Sequence, residues 1–90
     1  MNELDKYKSL LSDIIAKQIA ILGPDIALLK ARAISGIEVS DEGTVMSISG
    51  DPKKVLEKLV DEYVQLSGQI VKSTLSSVFD KYPDLKKDAH

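Results

Sequence analysis

Cysteine is absent, histidine occurs once and as the final residue, and arginine occurs once, at Arg32. Each shortage removes a class of chemistry. Without Cys there are no disulfides, no cysteine-based zinc or iron–sulfur sites and no thiol nucleophile, which suits a reducing compartment. With His90 as the lone imidazole, at the chain end, the usual nucleophile–base pairs cannot be assembled. Catalysis would fall to carboxylates, Lys, Ser or Tyr, and no convergent set of these is visible, so an enzyme is not expected and neither is a cofactor. Asp41-Glu42 is an adjacent acidic pair without the ligand spacing of a calcium loop; it reads as a solvated turn, not as a metal site.

Long apolar runs are missing too. Met1 to Lys8 mix both charge signs and lead into no uninterrupted apolar stretch of signal-peptide or membrane-span length, so the expectation is a cytoplasmic protein without membrane contact. Nor is there a basic excess: 12 Lys and Arg stand against 14 Asp and Glu, a formal charge of −2. Nucleic-acid binding needs a concentrated basic face. Lys53, Lys54 and Lys58 are the nearest approach to one, and Asp51, Glu57 and Asp61 dilute it.

What the chain does contain is enough aliphatic material for one core. Its 90 residues are 43% hydrophobic and 29% charged, the composition of one small folded domain, 1–90, rather than a disordered segment. A domain of this size buries a modest fraction of its surface and gains from a partner.

The hydrophobic pattern divides into five segments. From 2 to 22, Leu4, Tyr7, Leu11, Ile14, Ile15, Ile19 and Leu22 recur at steps of three and four, which predicts an amphipathic helix. Gly23-Pro24-Asp25 then stops one helix and starts another: Gly caps, Pro takes the first helical position, Asp sits in the first turn. The second helix, 24–35, carries Ile26, Ala27, Leu28, Leu29, Ala31, Ala33 and Ile34 with only Lys30 and Arg32 charged after its first turn. A helix so apolar is normally buried on most sides. Residues 37–49 alternate on both flanks of Asp41-Glu42-Gly43 and predict a β-hairpin that pairs Ile37 with Ile48 and Val39 with Met46.

Ser49-Gly50-Asp51-Pro52-Lys53-Lys54 has some parts of a phosphate loop, namely a glycine and two lysines at a helix start. Asp51, however, puts a carboxylate where the anion would sit, Pro52 removes a donor, and no phosphate-loop motif is present. The stretch reads instead as a turn, an N-cap at Asp51 and Pro at the first helical position.

The last apolar period runs over 52–82, with a flexible tail at 84–90. An unbroken helix of that length would be a rod of roughly 46 Å, against a diameter near 30 Å for a domain of this size. Either the helix breaks at Ser67-Gly68 or its second half projects and is covered by another chain. The second alternative is preferred here, because the apolar stripe continues beyond Gly68 and a small Ser-Gly pair suits a close helix crossing.

The fold class expected is therefore α+β and helix-rich, in the order ααββα. The function expected is a homo-oligomeric interaction module, dimer or tetramer, with a scaffold or regulatory role toward a protein partner. Its interface candidates are Tyr63, Ile70, Val71, Leu75, Val78 and Phe79 on the long helix. The alternative is a small-molecule sensor with a pocket between the second helix and the hairpin, in which Lys30 or Arg32 meets an anion.

Overall fold

Among the described residues, three helices and one antiparallel hairpin follow each other in the order ααββα, as the hydrophobic periods predict. The computed structural model describes residues 3–68 together with Val78 and Asp80. Helix α1 spans Glu3–Leu22, α2 Pro24–Arg32 and α3 Pro52–Ser67, while β1 and β2 are Ile37–Val39 and Val45–Ile48. α1 is the centre of the arrangement: α2, α3 and β2 all pack on it, and α2 in turn meets β1 and α3.

The apolar stripe of α1 explains that position. Tyr7, Leu10, Leu11, Ile14 and Ile15 are buried in one cluster that also takes Leu28 and Ala31 from α2, Val39 and Val45 from the hairpin, and Val55, Leu56, Leu59 and Tyr63 from α3. The Gly23-Pro24 punctuation works as expected, with α1 ending at Leu22 and Pro24 at the first position of α2. α2 is shorter than 24–35. Its last turn tightens as the Ile34 N–H donates to the Ala31 carbonyl, three residues back, and 33–36 leave as a turn.

The hairpin pairs Ile37 with Ile48 as predicted, but Val39 lies opposite Val45 and not Met46. A bulge between Glu38 and Val39 in the register accounts for the change. It leaves Met46 as the extra residue of β2, so Val45 turns into the core and Met46 turns out, 3% and 54% exposed. Bulges of this kind bend and twist a strand, here over the convex surface of α1. The turn closes with the Gly43 N–H donating to the Ser40 carbonyl and the Ser40 N–H to the Thr44 carbonyl. Gly43 has φ 89° and lies so close to α1 that a Cβ on it would stand 2.8 Å from Ile19 Cδ1, so both its torsion and its lack of a side chain are used.

The opening of α3 is a helix start, as read from Ser49 to Lys54. The Asp51 carboxylate accepts the Lys53 N–H at 3.0 Å and Pro52 occupies the first helical position. Its far end differs from the preferred expectation of a rod continuing to Tyr82. α3 stops at Ser67, where Gly68 takes φ 56° and ψ −119° as its cap, a conformation open to glycine and hostile to other residues. Val78 is fully buried and belongs to the same core cluster as Tyr63 and Leu59. On an unbroken helix Val78 would stand about 22 Å further along the axis than Tyr63, and the molecule is only 30 × 25 × 18 Å. The remaining positions of the expected rod, and the tail at 84–90, lie outside the described residues.

Candidate functional site

Two of the six interface candidates turn out to serve the chain's own core. Tyr63 and Val78 are both fully buried within one chain, and a side chain closed over by its own fold has nothing left to offer a second subunit. Ile70, Val71, Leu75 and Phe79 lie outside the described residues.

Tyr63 reaches across to α2. Its hydroxyl donates to the Ala27 carbonyl at 2.8 Å in a buried contact, and burial pushes the phenol pKa well above its usual value. The residue fixes α3 against α2 by one hydrogen bond and a large apolar ring.

The two cations of α2 are not brought together. Residues two apart on a helix point to different sides, and here Lys30 turns toward Glu62 of α3 at 3.9 Å while Arg32 turns toward the hairpin, meeting Asp41 at 2.7 Å and the Val39 carbonyl at 3.5 Å. Each cation thus has a carboxylate from its own chain, and they share no anion. The cleft of about 350 Å³ between the end of α2 and α3 is lined by Ala33, Ile34, Ser35, Lys58, Asp61, Glu62 and Gln65. Two carboxylates against one ammonium make it unsuited to an anionic ligand. A second cleft, of about 430 Å³, opens between the starts of α1 and α3, with Glu3, Leu4, Tyr7, Asp51, Pro52 and Lys53 around it.

Among the described residues no group of three or more His, Asp or Glu side chains could hold a metal ion. Among them, too, no helix is long and apolar enough to cross a membrane.

The most unusual surface belongs to α2. Ala27, Leu28, Ala31 and Ile34 point into the core, as a period of three and four requires. The opposite side of the helix is apolar as well: Ile26 is 47% exposed, Leu29 67% exposed, and Ala33 is exposed at the C-cap. At 100° per residue these three fall along one line directed away from the core. Charges flank this line instead of covering it. Asp25 and Arg32 stand on one side, seven positions and so two turns apart, and Lys30 stands on the other. A helix apolar all round is ordinarily enclosed on all sides; α2 is enclosed on one.

Two polar structural residues escaped the periodic reading, as did the fully buried Leu10. Gln18 is fully buried, although it was not counted among the core positions of α1; its place four residues after Ile14 and three after Ile15 is the signal that marks it. Ser12 is the other. Its hydroxyl donates to the Lys8 carbonyl at 2.7 Å and accepts the Val45 N–H at 2.9 Å, tying the start of β2 to α1. Compared with known proteins, the chain matches no family model, no curated protein and no solved structure. Function is therefore read from the chain's own surface.

Proposed function

We propose that this chain is a small self-associating interaction module of the cytoplasm, a homo-oligomer with a scaffold or regulatory role toward a protein partner. One observation carries the reading: the outward line of α2, with Leu29 67% and Ile26 47% exposed, is an apolar helix face left uncovered by the described residues. Scattered exposed aliphatics are ordinary. An aligned set on a helix whose inner face already forms the core is what an association surface looks like. This moves the association surface from α3, whose Tyr63 is internal, to α2.

A ligand-sensing role has less to rest on. Lys30 and Arg32, which would meet an anion, are turned apart and paired with Glu62 and Asp41. The polar cleft beside Lys30 carries Asp61 and Glu62 against Lys58, a balance that disfavours an anion.

Sedimentation equilibrium over a wide concentration range tests the reading. A helix of nine residues is about 13 Å long, so the contact it centres is at the small end, near 1,200 Å² or below. The series has to reach roughly millimolar protein, where weak association shows. A rising mass that Leu29→Asp abolishes is expected. A wild-type chain that stays monomeric throughout would end the proposal.

A further inference from the structure

We propose that α2 meets the α2 of a second copy antiparallel across a two-fold axis, with Asp25 of each chain facing Arg32 of the other. The inference rests on the self-association reading and adds the partner surface, its symmetry and its charge pairing.

Three observations lead there. The apolar line of Ile26, Leu29 and Ala33 is the outward face of α2. Asp25 and Arg32 lie along one edge of that line, both exposed, one in the first turn and the other at the last residue of the helix. The opposite edge is held by the chain itself, through Lys30 and Glu62.

A two-fold axis that pairs two helices face to face and antiparallel brings the same edge of each helix alongside itself with the direction reversed. The start of one then lies beside the end of the other. Asp25 falls next to Arg32 of the second copy, and Arg32 next to its Asp25, so one contact supplies two opposite-charge pairs, while Leu29, near the middle of the helix, lies closest to the axis. A parallel two-fold would instead lay the edge of Asp25 and Arg32 beside the Lys30 edge of the other helix, so neither Asp25–Arg32 pair would form and Arg32 would come near a second cation. Charge therefore chooses the direction, and the apolar line supplies the attraction. Two-fold association is also the commonest closed arrangement of identical chains.

Arg32 already meets Asp41 at 2.7 Å, but that pair is exposed, the Asp41 side chain being 95% accessible. Exposed pairs of this kind hold a side chain weakly, and a guanidinium has donors on more than one edge, so it can serve Asp41 and an incoming Asp25 together. The other exposed large aliphatics form no such line: Leu4 and Ile21 stand near opposite ends of α1, Met46 is a single bulge residue and Leu66 sits next to the end of α3.

Charge exchange tests the proposal on the full chain. Asp25→Arg alone and Arg32→Asp alone each create two like-charge contacts across the axis, and each should weaken self-association roughly tenfold or more. The double variant Asp25→Arg/Arg32→Asp restores both pairs, and so does an equimolar mixture of the two single variants, which should form a heterodimer while neither forms a homodimer. Far-UV circular dichroism of each variant reports that the fold is kept. If the single variants associate like the wild type, or if neither the double variant nor the mixture recovers association, the antiparallel two-fold contact is overturned. Should Leu29→Asp abolish association while the charge variants leave it unchanged, self-association through α2 stands and the proposed orientation falls. A wild-type chain monomeric at all concentrations removes both.

Discussion

Gln18 should be worth replacing. Its side chain is fully buried on the core side of α1, and among the described residues neither its Nε2 nor its Oε1 has a hydrogen-bond partner. An amide moved out of water without partners costs about 1–3 kcal/mol on the scale of protein mutations. Gln18→Met keeps the length and nearly the shape, and the two residues have similar helix propensity and similar rotamer entropy to lose. The substitution therefore isolates the desolvation of the amide. The expected gain is about 1–2 kcal/mol once imperfect packing of the thioether is allowed for.

For a domain of this size, each kcal/mol moves Tm by about 4–8 °C, so the melting point should rise by roughly 5–15 °C. Urea titration followed by circular dichroism gives the same answer independently: the midpoint should increase at an unchanged slope. Gln18→Glu supplies the opposite sign. It buries a carboxylate in the same place, so it should be strongly destabilising at neutral pH and recover as acid protonates the group. A Gln18→Met protein that melts at or below the wild-type temperature would show that the amide makes hydrogen bonds worth more than its burial costs, and the reasoning would fail.

Three further outcomes follow from the contacts of the core. Tyr63→Phe removes the donor to the Ala27 carbonyl and should cost about 0.5–1.5 kcal/mol at neutral pH. The same phenol sets a pH dependence: burial raises its folded pKa, so the unfolded chain loses the proton first, and stability is intact below about pH 10 and falls above it by up to roughly 1.4 kcal/mol per pH unit. Alkaline urea titrations of wild type against Tyr63→Phe check this, since the extra loss above pH 10 should vanish in the variant. Gly43→Ala combines a φ of 89° with a Cβ placed 2.8 Å from Ile19 Cδ1 and 3.0 Å from Ile15 Cγ2; it should cost about 1–3 kcal/mol, read as a lower denaturation midpoint, and an unchanged midpoint would mean the hairpin tip does not press on α1.

The five elements were legible because each is announced by local chemistry. Gly23-Pro24 separates two helices wherever it occurs, and Asp51-Pro52 starts one by the same logic of free donors and a fixed φ. The bulge that sends Val45 inward and Met46 outward was not legible. Strict alternation is the only signal a short strand carries, and one extra residue reverses every side chain beyond it. The end of α3 was read in the less favoured of two ways for a related reason. The apolar period survives across Gly68, so periodicity alone argues for continuity, whereas the break is a backbone event at one glycine, repaid by burying Val78 in the chain's own core. Periodicity tells which residues share a face of a helix and is silent on whether the axis continues.

The same limit explains why the proposed association surface differs from the one the apolar period suggested. Long apolar stripes drew attention to the C-terminal positions, yet a stripe on one face is what any core helix needs, and Tyr63 and Val78 used theirs internally. The informative helix was the short one. In α2 the sequence supplies apolar residues for two opposite faces, the fold fills only the inner one with Ala27, Leu28 and Ala31, and Ile26 and Leu29 remain outside. A stripe asks for one neighbour and the domain provides it. A second stripe on the same helix asks for another, and Asp25 and Arg32 beside it, spaced two turns apart with opposite sign, describe the charges that neighbour should carry: an arginine and an aspartate in reversed order, which a second copy of this chain presents.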